Sequence, residues 1–468
     1  MNVNGAIGRL TRLFIVAFAL LVVRQGYVQL VAGPRLATNV HNPRIAVLAR
    51  YRGDIVARDG TVLAHSTARG RIYPLGRSLA HALGYASARY GTTGLEEAYD
   101  RDLSARSVAA DPIDQIRQLF GARPPALAVS GATIITTIDP AIQATLSRAL
   151  AAYPRAAGVA LDPRTGAVLG LGSVPSYDPA TIDTDFATLV RDARSPLLDR
   201  SLDGLYPPGS TFKIFTAAAA LESGVVTLQS TFDDNGTLSV GNFSIHDNEG
   251  EATGTQDLAG AFALSSNVDF AQIALELGVD RWFDAVATWQ LGRPIHFTLP
   301  SARDRLPTRA SVSPGVLAQL GFGQADLLVT PLRMALITAT IASGGNTPRP
   351  YLVHAIRRDG REITLAAPEV LASPITPEVA DGVRDLMIAT VRRGTGTAAA
   401  LPNVVVAGKT GTATNAAGRS HAWFVAFAPA AHPRIVVAIV VENVGYGGTY
   451  AAPIARSVIA TALATDRG

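Results

Sequence analysis

A serine and a lysine three residues apart, Ser210 and Lys213, form a pair whose types and spacing fit covalent catalysis. A Pro-Pro-Gly loop precedes the serine, and an Ala-rich helix is predicted to begin at it. Residues i and i+3 share a helix face, so we expect the hydroxyl and the amine within hydrogen-bond reach, as a nucleophile and its base require. Free N–H groups at the helix N-terminus favour an oxyanion, and burial among Phe212, Ile214 and Phe215 lowers the pKa of the lysine. Alternatively, the serine is only an N-cap.

A second lysine lies in the segment Lys409-Thr410-Gly411-Thr412, directly after the apolar run Val404–Ala407. The pattern predicts a strand that ends in this segment and presents an ammonium group and two hydroxyls along one edge. Gly411 leaves space where a substrate backbone approaches. The N–H of Thr412 is predicted as a second oxyanion donor beside that of Ser210. Taken alone, the segment fits a turn equally well.

The tripeptide Ser265-Ser266-Asn267 offers a hydroxyl and an amide two residues apart, on a predicted loop or helix start. Such a pair can bridge two lysines and bind a peptide amide, although the tripeptide is also common loop sequence. A phosphate-binding P-loop around the second lysine is excluded, because Asn403 stands where that motif needs a glycine.

Lysine occurs only twice in the chain, as Lys213 and Lys409, although lysine and arginine together number 41. Arginine keeps its charge, whereas a buried lysine readily loses its proton, so both lysines are candidates for sites that need a compact amine. The alternative is a chance remainder of an arginine-rich composition. The chain has no cysteine, which excludes a thiol nucleophile and Cys-ligated metals. We predict no metal ion and no cofactor.

The net charge of +4 comes from basic residues spread along the chain, which argues against a nucleic-acid partner. From residue 156 to 468 the pattern predicts one α/β unit on an antiparallel sheet, with a hairpin around Asp162–Gly166. Two continuous apolar runs are typical of central strands covered on both faces. The runs are Trp423–Ala428 and Ile435–Val441, and the predicted helices are Pro331–Ala342 and Pro453–Leu463.

Three polar or aromatic side chains near these runs are predicted to be structural. His421 and Trp423 are interpreted as packing residues because an apolar β run follows them. Glu442, at the end of a strand, is interpreted as a capping or ion-pairing residue and not as an acid catalyst.

Residues 35–155 are predicted to form a small mixed α/β module with no chemistry of its own. Short β runs flank Arg58-Asp59-Gly60, which is a hairpin turn signal. Helices are predicted at Pro112–Phe120 and Ile142–Ala152.

Residues 1–34 are predicted to anchor the chain in the cytoplasmic membrane. Arg9 and Arg12 precede the apolar run Leu13–Val23, which is shorter than the ~20 residues that span a bilayer and has the length of a signal-peptide core. A retained anchor is favoured, because no Ala-x-Ala-like site closes the run and Arg24 can reach the interface. The N-terminal arginines place that end in the cytoplasm and the rest of the chain outside.

Together, the three segments resemble the motif set of penicillin-binding proteins and serine β-lactamases, in the same order. Further segments over residues 20–465 resemble class B penicillin-binding proteins, and the short N-terminal module with Asn42-Pro43-Arg44 looks most like their penicillin-binding protein A group. The resemblance implies a serine-transpeptidase/β-lactamase-like fold, in which helices flank an antiparallel sheet. The preceding module is then of the dimerisation or pedestal type. The further segments are Arg52–Ile55, Arg58–Gly60, Gly94–Glu96, Thr136–Asp139, Ser176–Pro179, Gly321–Gln324, Thr330-Pro331 and His421–Phe424.

The resemblance implies a D,D-transpeptidase that cross-links peptidoglycan stem peptides and is inhibited by β-lactams. In that scheme Ser210 attacks the D-Ala–D-Ala carbonyl, Lys213 takes its proton, and Ser265 relays a proton to the leaving amine. Asn267 holds the donor's side chain, and Lys409 helps to bind the terminal carboxylate. The other substrate-binding residues implied are Thr410, Gly411 and Thr412.

A separate polytopic membrane glycosyltransferase is the implied partner, because no glycan-polymerising module is recognised before the transpeptidase region. Two other functions stay open. A β-lactamase or β-lactam sensor needs a base that holds a water near Ser210, and no motif assigns a glutamate to that task. A division or elongation scaffold with secondary catalysis is the second alternative, and the intact Ser210, Lys213 and Lys409 argue against a purely structural role.

Overall fold

The computed structural model describes residues 3–27, 52–67, 69–104, 131–247, 252–415 and 417–465. The helix predicted at Pro112–Phe120 lies outside these residues. The described helices, in chain order, are α1 (Val3–Tyr27), α2 (Ala80–Leu83), α3 (Gly94–Ala98), α4 (Asp100–Leu103), α5 (Pro140–Leu150), α6 (Ile182–Arg191), α7 (Lys213–Glu222), α8 (Leu258–Leu264), α9 (Asn267–Thr288), α10 (Pro314–Leu320), α11 (Pro331–Ala342), α12 (Pro377–Arg393) and α13 (Gly447–Thr465).

The strands fall into two main sheets and several two-stranded ribbons. In chain order they are β1 (Ile55–Val56), β2 (Val62–Thr67), β3 (Gly70–Ile72), β4 (Ala86–Ser87), β5 (Gly91–Thr92), β6 (Thr133–Thr136), β7 (Ala156–Leu161), β8 (Val168–Val174), β9 (Thr231–Asp234), β10 (Thr237–Val240), β11 (Phe243–His246), β12 (Gly254–Asp257), β13 (Thr347–Pro348), β14 (Val353–Arg358), β15 (Arg361–Leu365), β16 (Val370–Ala372), β17 (Ala407–Thr414), β18 (Ser420–Ala428) and β19 (Ile435–Val441).

The central sheet is antiparallel throughout, with the strand order β17-β18-β19-β7-β8. Its two inner strands are the apolar runs predicted as central strands, and every residue of β19 is buried. Along β18, Trp423 and Val425 enter one hydrophobic core, and the alternate residues Phe424 and Ala426 enter the other. The sheet is therefore covered on both faces, as the continuous apolar pattern predicts.

A second sheet has the order β15-β14-β6-β1-β2-β3 and combines early and late parts of the chain. The predicted turn at Arg58-Asp59-Gly60 joins the antiparallel pair β1 and β2, which confirms the hairpin. Strand β14, from the second half of the chain, pairs with β6 and brings β15 with it. The sheet of the N-terminal region is thus completed by residues far along the sequence.

The helices predicted within the described residues are present, although some of their ends differ from the prediction. Helix α11 spans Pro331–Ala342 as expected, and Thr330 caps it by accepting from the N–H of Arg333. Helix α5 corresponds to the predicted Ile142–Ala152 but begins two residues earlier, where Pro140 follows the Asp139 cap. Helix α13 begins at Gly447, before the predicted Pro453, and includes that proline.

The N-terminal helix α1 contains one stretch, Leu10–Tyr27, long and apolar enough to cross a membrane, and none of it is buried against the rest of the protein. A signal sequence has the same properties. The chain therefore carries one N-terminal apolar helix of membrane-spanning length.

A buried ion-pair cluster holds the N-terminal region together. Glu96, which is fully buried, pairs with Arg52 and with Arg71 at 2.7 Å. Arg52 also contacts Asp100 at 2.6 Å. Charges removed from water in this way are stable only while each keeps its partners.

Candidate active site

Ser210 lies on a 3-10 turn, Gly209–Phe212, directly before helix α7, so the α-helix begins at Lys213 and not at the serine. Gly209 permits this turn with a φ of +53°, and a Cβ there would lie 2.9 Å from the carbonyl oxygen of Thr412. The glycine therefore lets the serine loop pack closely on strand β17. The loop is also held by Trp423, whose indole N–H donates to the Pro207 carbonyl at 3.1 Å.

Lys213 is fully buried, and its amine points to the junction between helices α8 and α9. Its Nζ donates to the Ser265 carbonyl at 2.6 Å and to Asn267 Oδ1 at 3.0 Å, and lies 3.3 Å from Ser265 Oγ. The ring of Phe270 lies 5.3 Å from the amine. The lysine amine is thus buried from solvent and has three oxygen atoms as neighbours.

Ser265 lies between the two lysines. Lys409, the other lysine of the chain, is fully buried and donates from Nζ to Ser265 Oγ at 2.8 Å. Ser265 ends helix α8 in the left-handed region, with φ +67°, and this places its hydroxyl between the amines. Asn267 begins helix α9 and donates from Nδ2 to the His246 carbonyl at 3.0 Å. The predicted bridge between the two lysines is present.

Burial dominates the protonation of both lysines. It lowers the pKa of Lys213 to about 7, although nearby carboxylates raise it in part, which confirms the direction predicted for this residue. Burial likewise lowers the pKa of Lys409 well below its usual value, and the positive charge of Lys213 lowers it further. At neutral pH a large share of the molecules therefore holds an uncharged Lys213.

One expected contact is absent. Among the described residues, the hydroxyl of Ser210 forms no hydrogen bond, and Lys213 Nζ contacts Ser265 and Asn267 instead. The two residues still share one side of the turn, because i and i+3 are eclipsed in a 3-10 helix. Catalytic hydrogen bonds are often long without substrate and shorten in the substrate complex.

The Lys-Thr-Gly segment lies within a strand and does not end one, which corrects the sequence prediction. Strand β17 begins at Ala407 and continues to Thr414, and it forms the edge of the central sheet. The apolar residues before it are used in a turn, in which Leu401 bridges to Val404. A full strand fixes the direction of each side chain more firmly than a strand end.

The structure gives Gly411 a role in packing that the sequence did not predict. A Cβ at this position would lie 2.9 Å from Thr211 Cγ2 and 3.0 Å from the Pro208 carbonyl oxygen. The space left by the glycine is thus filled by the serine loop. Beside it, the hydroxyl of Thr410 is hydrogen-bonded to that of Thr395 at 2.5 Å.

A cavity of about 790 Å³ opens above these residues, and Ser210 is half-buried in its wall. Hydroxyl, amide and glycine residues dominate the lining, and exposed Tyr446 lies at its edge. The cavity is lined by Ser210, Ser265, Asn267, Phe322, Gln324, Thr395, Thr397, Ala398, Thr410, Thr412, Thr414, Ser420, Gly445, Tyr446, Gly447, Gly448 and Thr449.

His421 and Glu442, which were predicted to be structural, make packing and ion-pair contacts in the structure. Tyr206, in the chain segment before Ser210, donates to Glu442 at 2.9 Å, and Arg200 pairs with the same carboxylate at 2.9 Å. His421 is buried with its ring edge-on to Tyr206 at 5.4 Å. These contacts confirm Glu442 as an ion-pairing residue and His421 as a packing residue.

Three carboxylates near Lys213 were missed by sequence reasoning, namely Asp234, Asp247 and Asp269. Asp247 accepts the N–H of Asn267 and a hydrogen bond from Ser266 Oγ at 3.2 Å, so it holds the start of helix α9. Asp234 and Asp247 carry no local signal because their contacts are distant in sequence. Asp269 does carry a local signal in the sequence, because it is an acidic residue between apolar residues on a buried helix.

Comparison with known proteins agrees with this geometry. Residues 156–460 match the family model of the penicillin-binding protein transpeptidase domain, and residues 52–126 match that of the penicillin-binding protein A dimerisation domain. The peptidoglycan D,D-transpeptidase PbpA of Mycolicibacterium smegmatis is 33% identical, over 98% of this chain and 99% of its own. The peptidoglycan D,D-transpeptidase MrdA of Haemophilus influenzae is 32% identical, over 80% of this chain and 61% of its own.

Solved structures give the same result. Penicillin-binding protein A from M. tuberculosis, as a ceftriaxone acyl-enzyme complex, has a TM-score of 0.80 and 34% identity, with 90% of this chain and 100% of that chain covered. The D,D-transpeptidase domain of a peptidoglycan glycosyltransferase from Eggerthella lenta has a TM-score of 0.80 and 32% identity, with 89% and 99% covered. These matches, together with the two lysines held at Ser265 beside Ser210, show that the chain belongs to the penicillin-binding protein transpeptidase family.

Proposed function

We propose that this protein is a peptidoglycan D,D-transpeptidase that cross-links stem peptides through an acyl-enzyme on Ser210. The observation that carries the proposal is the position of Ser265 Oγ, 2.8 Å from Lys409 Nζ and 3.3 Å from Lys213 Nζ, beneath a cavity whose wall contains Ser210. The names of the relatives and the acyl-enzyme complexes of penicillin-binding protein A support the same reaction.

Acylation begins with Lys213 as the base. A neutral amine has two N–H groups and one lone pair, and its shortest contacts are to the Ser265 carbonyl and Asn267 Oδ1, which accept the two protons. The lone pair is then free to take the proton of Ser210 as its oxygen attacks the donor's D-Ala–D-Ala carbonyl. The backbone N–H groups of Ser210 and Thr412 are the proposed donors to the resulting oxyanion.

The proton then has to reach the departing D-Ala amine. Lys409 donates to Ser265 Oγ, so the serine's own proton is directed away from Lys409 and toward either Lys213 or the leaving group. Ser265 is therefore the proposed relay between base and leaving amine. The peptide C–N bond breaks and D-Ala departs with the proton. The amine of a second stem peptide then attacks the Ser210 ester, the ester C–O bond breaks, and the proton lost by that amine returns to Ser210 Oγ through Lys213.

Donor binding is assigned to the strand edge and to the start of helix α9. The positive charge of Lys409 and the hydroxyls of Thr410 and Thr412 bind the terminal carboxylate, while Gly411 keeps the strand against the serine loop. Asn267, fixed by the His246 carbonyl, binds the donor's side chain or amide.

The β-lactamase alternative lacks support at this site. Hydrolysis needs a second base that holds water against the ester, and among the described residues no glutamate lines the cavity. Glu96 is buried in its pairs with Arg52 and Arg71, and Glu442 is paired with Arg200. A long-lived acyl-enzyme with β-lactams follows from this arrangement.

The membrane arrangement follows the same proposal. Residues 1–34 act as a single-pass anchor with the N-terminus in the cytoplasm, residues 35–155 as the dimerisation or pedestal module, and residues 156–468 as the extracytoplasmic transpeptidase domain. The arginines before the apolar helix support this orientation. A polytopic membrane glycosyltransferase supplies the uncross-linked glycan.

The test uses the full chain in detergent with a fluorescent penicillin, followed by mass spectrometry of proteolytic fragments. We expect a stable adduct on the peptide that contains Ser210, none in Ser210→Ala, and almost none in Lys213→Arg, because arginine cannot give up its proton. Ser223→Ala, at the other end of helix α7, is the matched control and should be labelled like the natural protein. An adduct elsewhere, or none on folded protein, refutes the proposal, and rapid release of the adduct indicates a β-lactamase.

A further inference from the structure

Trp423 is a fully buried aromatic residue that the reaction scheme leaves without a role. Its exposed fraction is 0%, and it is not among the described residues that line the cavity above Ser210. Its indole N–H donates to the carbonyl of Pro207 at 3.1 Å, three residues before the nucleophile. A buried indole N–H usually has a hydrogen-bond partner, so the position of this partner, and not its existence, is what needs a reason.

Trp423 lies where strand β17 meets the serine loop, residues 206–210. In the register of β17 and β18 it is paired with Gly411. A Cβ on Gly411 would lie 3.0 Å from Trp423 Cβ and 3.0 Å from the carbonyl oxygen of Pro208, so the strand, the tryptophan and the loop are in close contact there. The tryptophan backbone is fixed, because β18 pairs with β17 on one side and with β19 on the other. Its side chain therefore connects a rigid strand to the loop that carries the nucleophile.

Other contacts hold the two ends of the serine loop. Tyr206 exchanges two backbone hydrogen bonds with Val329, at 3.0 and 2.9 Å, and its ring lies edge-on to that of Trp423 at 6.0 Å. At the other end, the N–H of Gly209 donates to the Gly323 carbonyl at 2.9 Å. The two prolines between these ends have no N–H to donate, so they are held through their carbonyl groups. The indole of Trp423 holds the first of them and ties it to the central sheet.

The two proposed oxyanion donors lie on the two segments that Trp423 joins. The N–H of Ser210 belongs to the serine loop, and the N–H of Thr412 belongs to strand β17. The segments are packed so closely that a Cβ on Gly209 would lie 2.9 Å from the Thr412 carbonyl oxygen. An oxyanion is stabilised only where both donors reach the same oxygen, at about 2.7–3.1 Å. A small movement of the loop against the sheet would therefore separate the pair of donors.

We propose, on the basis of the function proposed above, that Trp423 is a positioning residue that ties the serine loop to the central sheet and thereby sets the spacing of the Ser210 and Thr412 N–H groups. It acts through the Pro207 carbonyl and does not reach the substrate. Its effect is on the tetrahedral intermediate, in which the oxygen carries a negative charge, and not on the donor before the attack. Loss of its N–H therefore slows acylation and leaves the first, non-covalent complex as tight as before.

The test compares Trp423→Phe, which keeps an aromatic ring but removes the N–H, with the natural protein. The full chain in detergent is mixed with a fluorescent penicillin by stopped flow. The dependence of the labelling rate on penicillin concentration separates the dissociation constant of the first complex from the maximal acylation rate. Trp282→Phe is the matched control, because Trp282 is also 0% exposed and its indole N–H has no partner among the described residues.

Complete loss of one oxyanion donor costs a factor of about 10² to 10³, and a donor that is only displaced costs less. We therefore expect the maximal acylation rate of Trp423→Phe to fall about tenfold, with the dissociation constant of the first complex within about twofold of the natural value. A boronic acid that adds to Ser210 as a tetrahedral adduct should bind about tenfold more weakly. Trp282→Phe should keep all three natural values. A merely structural role of Trp423 would lower the urea midpoint and leave both the acylation rate of folded protein and the boronate affinity unchanged, which would overturn the inference.

The three tryptophans of the chain permit a second measurement that does not depend on the folding of Trp423→Phe. In protein labelled with 15N at the indole nitrogen, Trp282→Phe and Trp289→Phe assign the signal of Trp423 by elimination. Acylation of the natural protein by penicillin should shift the Trp423 signal and leave that of Trp282 in place. A Trp423 signal that does not move on labelling of Ser210 would overturn this inference and leave the proposed function intact. Failure of the natural protein to be labelled would overturn the function instead.

Discussion

The hydroxyl of Ser265 is the one side-chain group in the described residues that contacts both lysines, and its removal tests the proposed proton path directly. Ser265→Ala takes away the relay and leaves Lys409 with the Thr410 carbonyl at 3.3 Å as a poor partner. Loss of a positioned proton-transfer group typically costs a factor of about 10² to 10⁴, so we expect acylation by penicillin to slow by that factor. A buried donor without a partner also lowers the free energy of unfolding, by about 1–3 kcal/mol.

Ser265→Gly separates the hydroxyl from the backbone. Ser265 has φ +67°, a conformation that costs an L-residue roughly 1–2 kcal/mol, whereas glycine adopts it freely. Glycine loses more chain entropy on folding, which offsets about 0.4–1 kcal/mol of that gain. Ser265→Gly should therefore be as slow as Ser265→Ala in acylation but more stable, by about 0.8 kcal/mol from the midpoints of these two terms.

The assay is stopped-flow labelling with a fluorescent penicillin, accompanied by urea unfolding of each variant under the same detergent conditions. Acylation of Ser265→Ala within about threefold of the natural rate would refute the relay, since an absent hydroxyl cannot carry a proton. Equal stability of the alanine and glycine variants would refute the assignment of backbone strain at this position.

Two further predictions concern buried charge. Because burial lowers the pKa of Lys213 to about 7, acylation should be half-maximal near pH 7 and fall about tenfold per pH unit below it. Between pH 7 and the usual lysine value of 10.5 the unfolded chain binds one proton more at Lys213 than the folded chain does, and the lowered pKa of Lys409 acts in the same direction. The free energy of unfolding should therefore rise with pH in urea titrations, and less so in Lys213→Met. Glu96→Gln leaves buried Arg71 without its carboxylate partner and Arg52 with Asp100 alone, and should lower the free energy of unfolding by about 3–5 kcal/mol, while folded protein is still labelled at the natural rate.

Much of the site is readable from the sequence because rarity and spacing act together. The two lysines of an arginine-rich chain identify two residues of the site, and the tripeptide that begins at Ser265 identifies the third. The structure brings all three within hydrogen-bond distances. The apolar runs likewise predict the central strands, because a strand that is buried on both faces is apolar at every position and does not alternate with polar residues.

What the sequence did not predict depends on exact backbone geometry and on contacts between distant segments. The α-helix begins at Lys213 because Gly209 and Ser210 form a 3-10 turn, and helical periodicity does not distinguish the two at a single turn. Residues before strand β17 are apolar and β-branched, yet Asn403 with φ +61° turns the chain there. The effect of Asp269 on Lys213 is a through-space interaction across helices, which no local pattern contains.

The choice of lysine at two positions has a physical reason in the structure. Both amines are fully buried, and each carries a depressed pKa, so neither position can tolerate a side chain that must stay charged. Two ammonium groups joined by one hydroxyl would repel each other in a medium with little water, which favours states in which one of them is neutral. The carboxylates lie near Lys213 and partly restore its proton, whereas Lys409 has no such neighbour among the causes that shift its pKa. A negatively charged donor terminus beside Lys409 would supply the missing counter-charge, and the ammonium formed there would in turn lower the pKa of Lys213. In the proposed mechanism, the pair of lysines would thereby link recognition of the donor carboxylate to activation of the base.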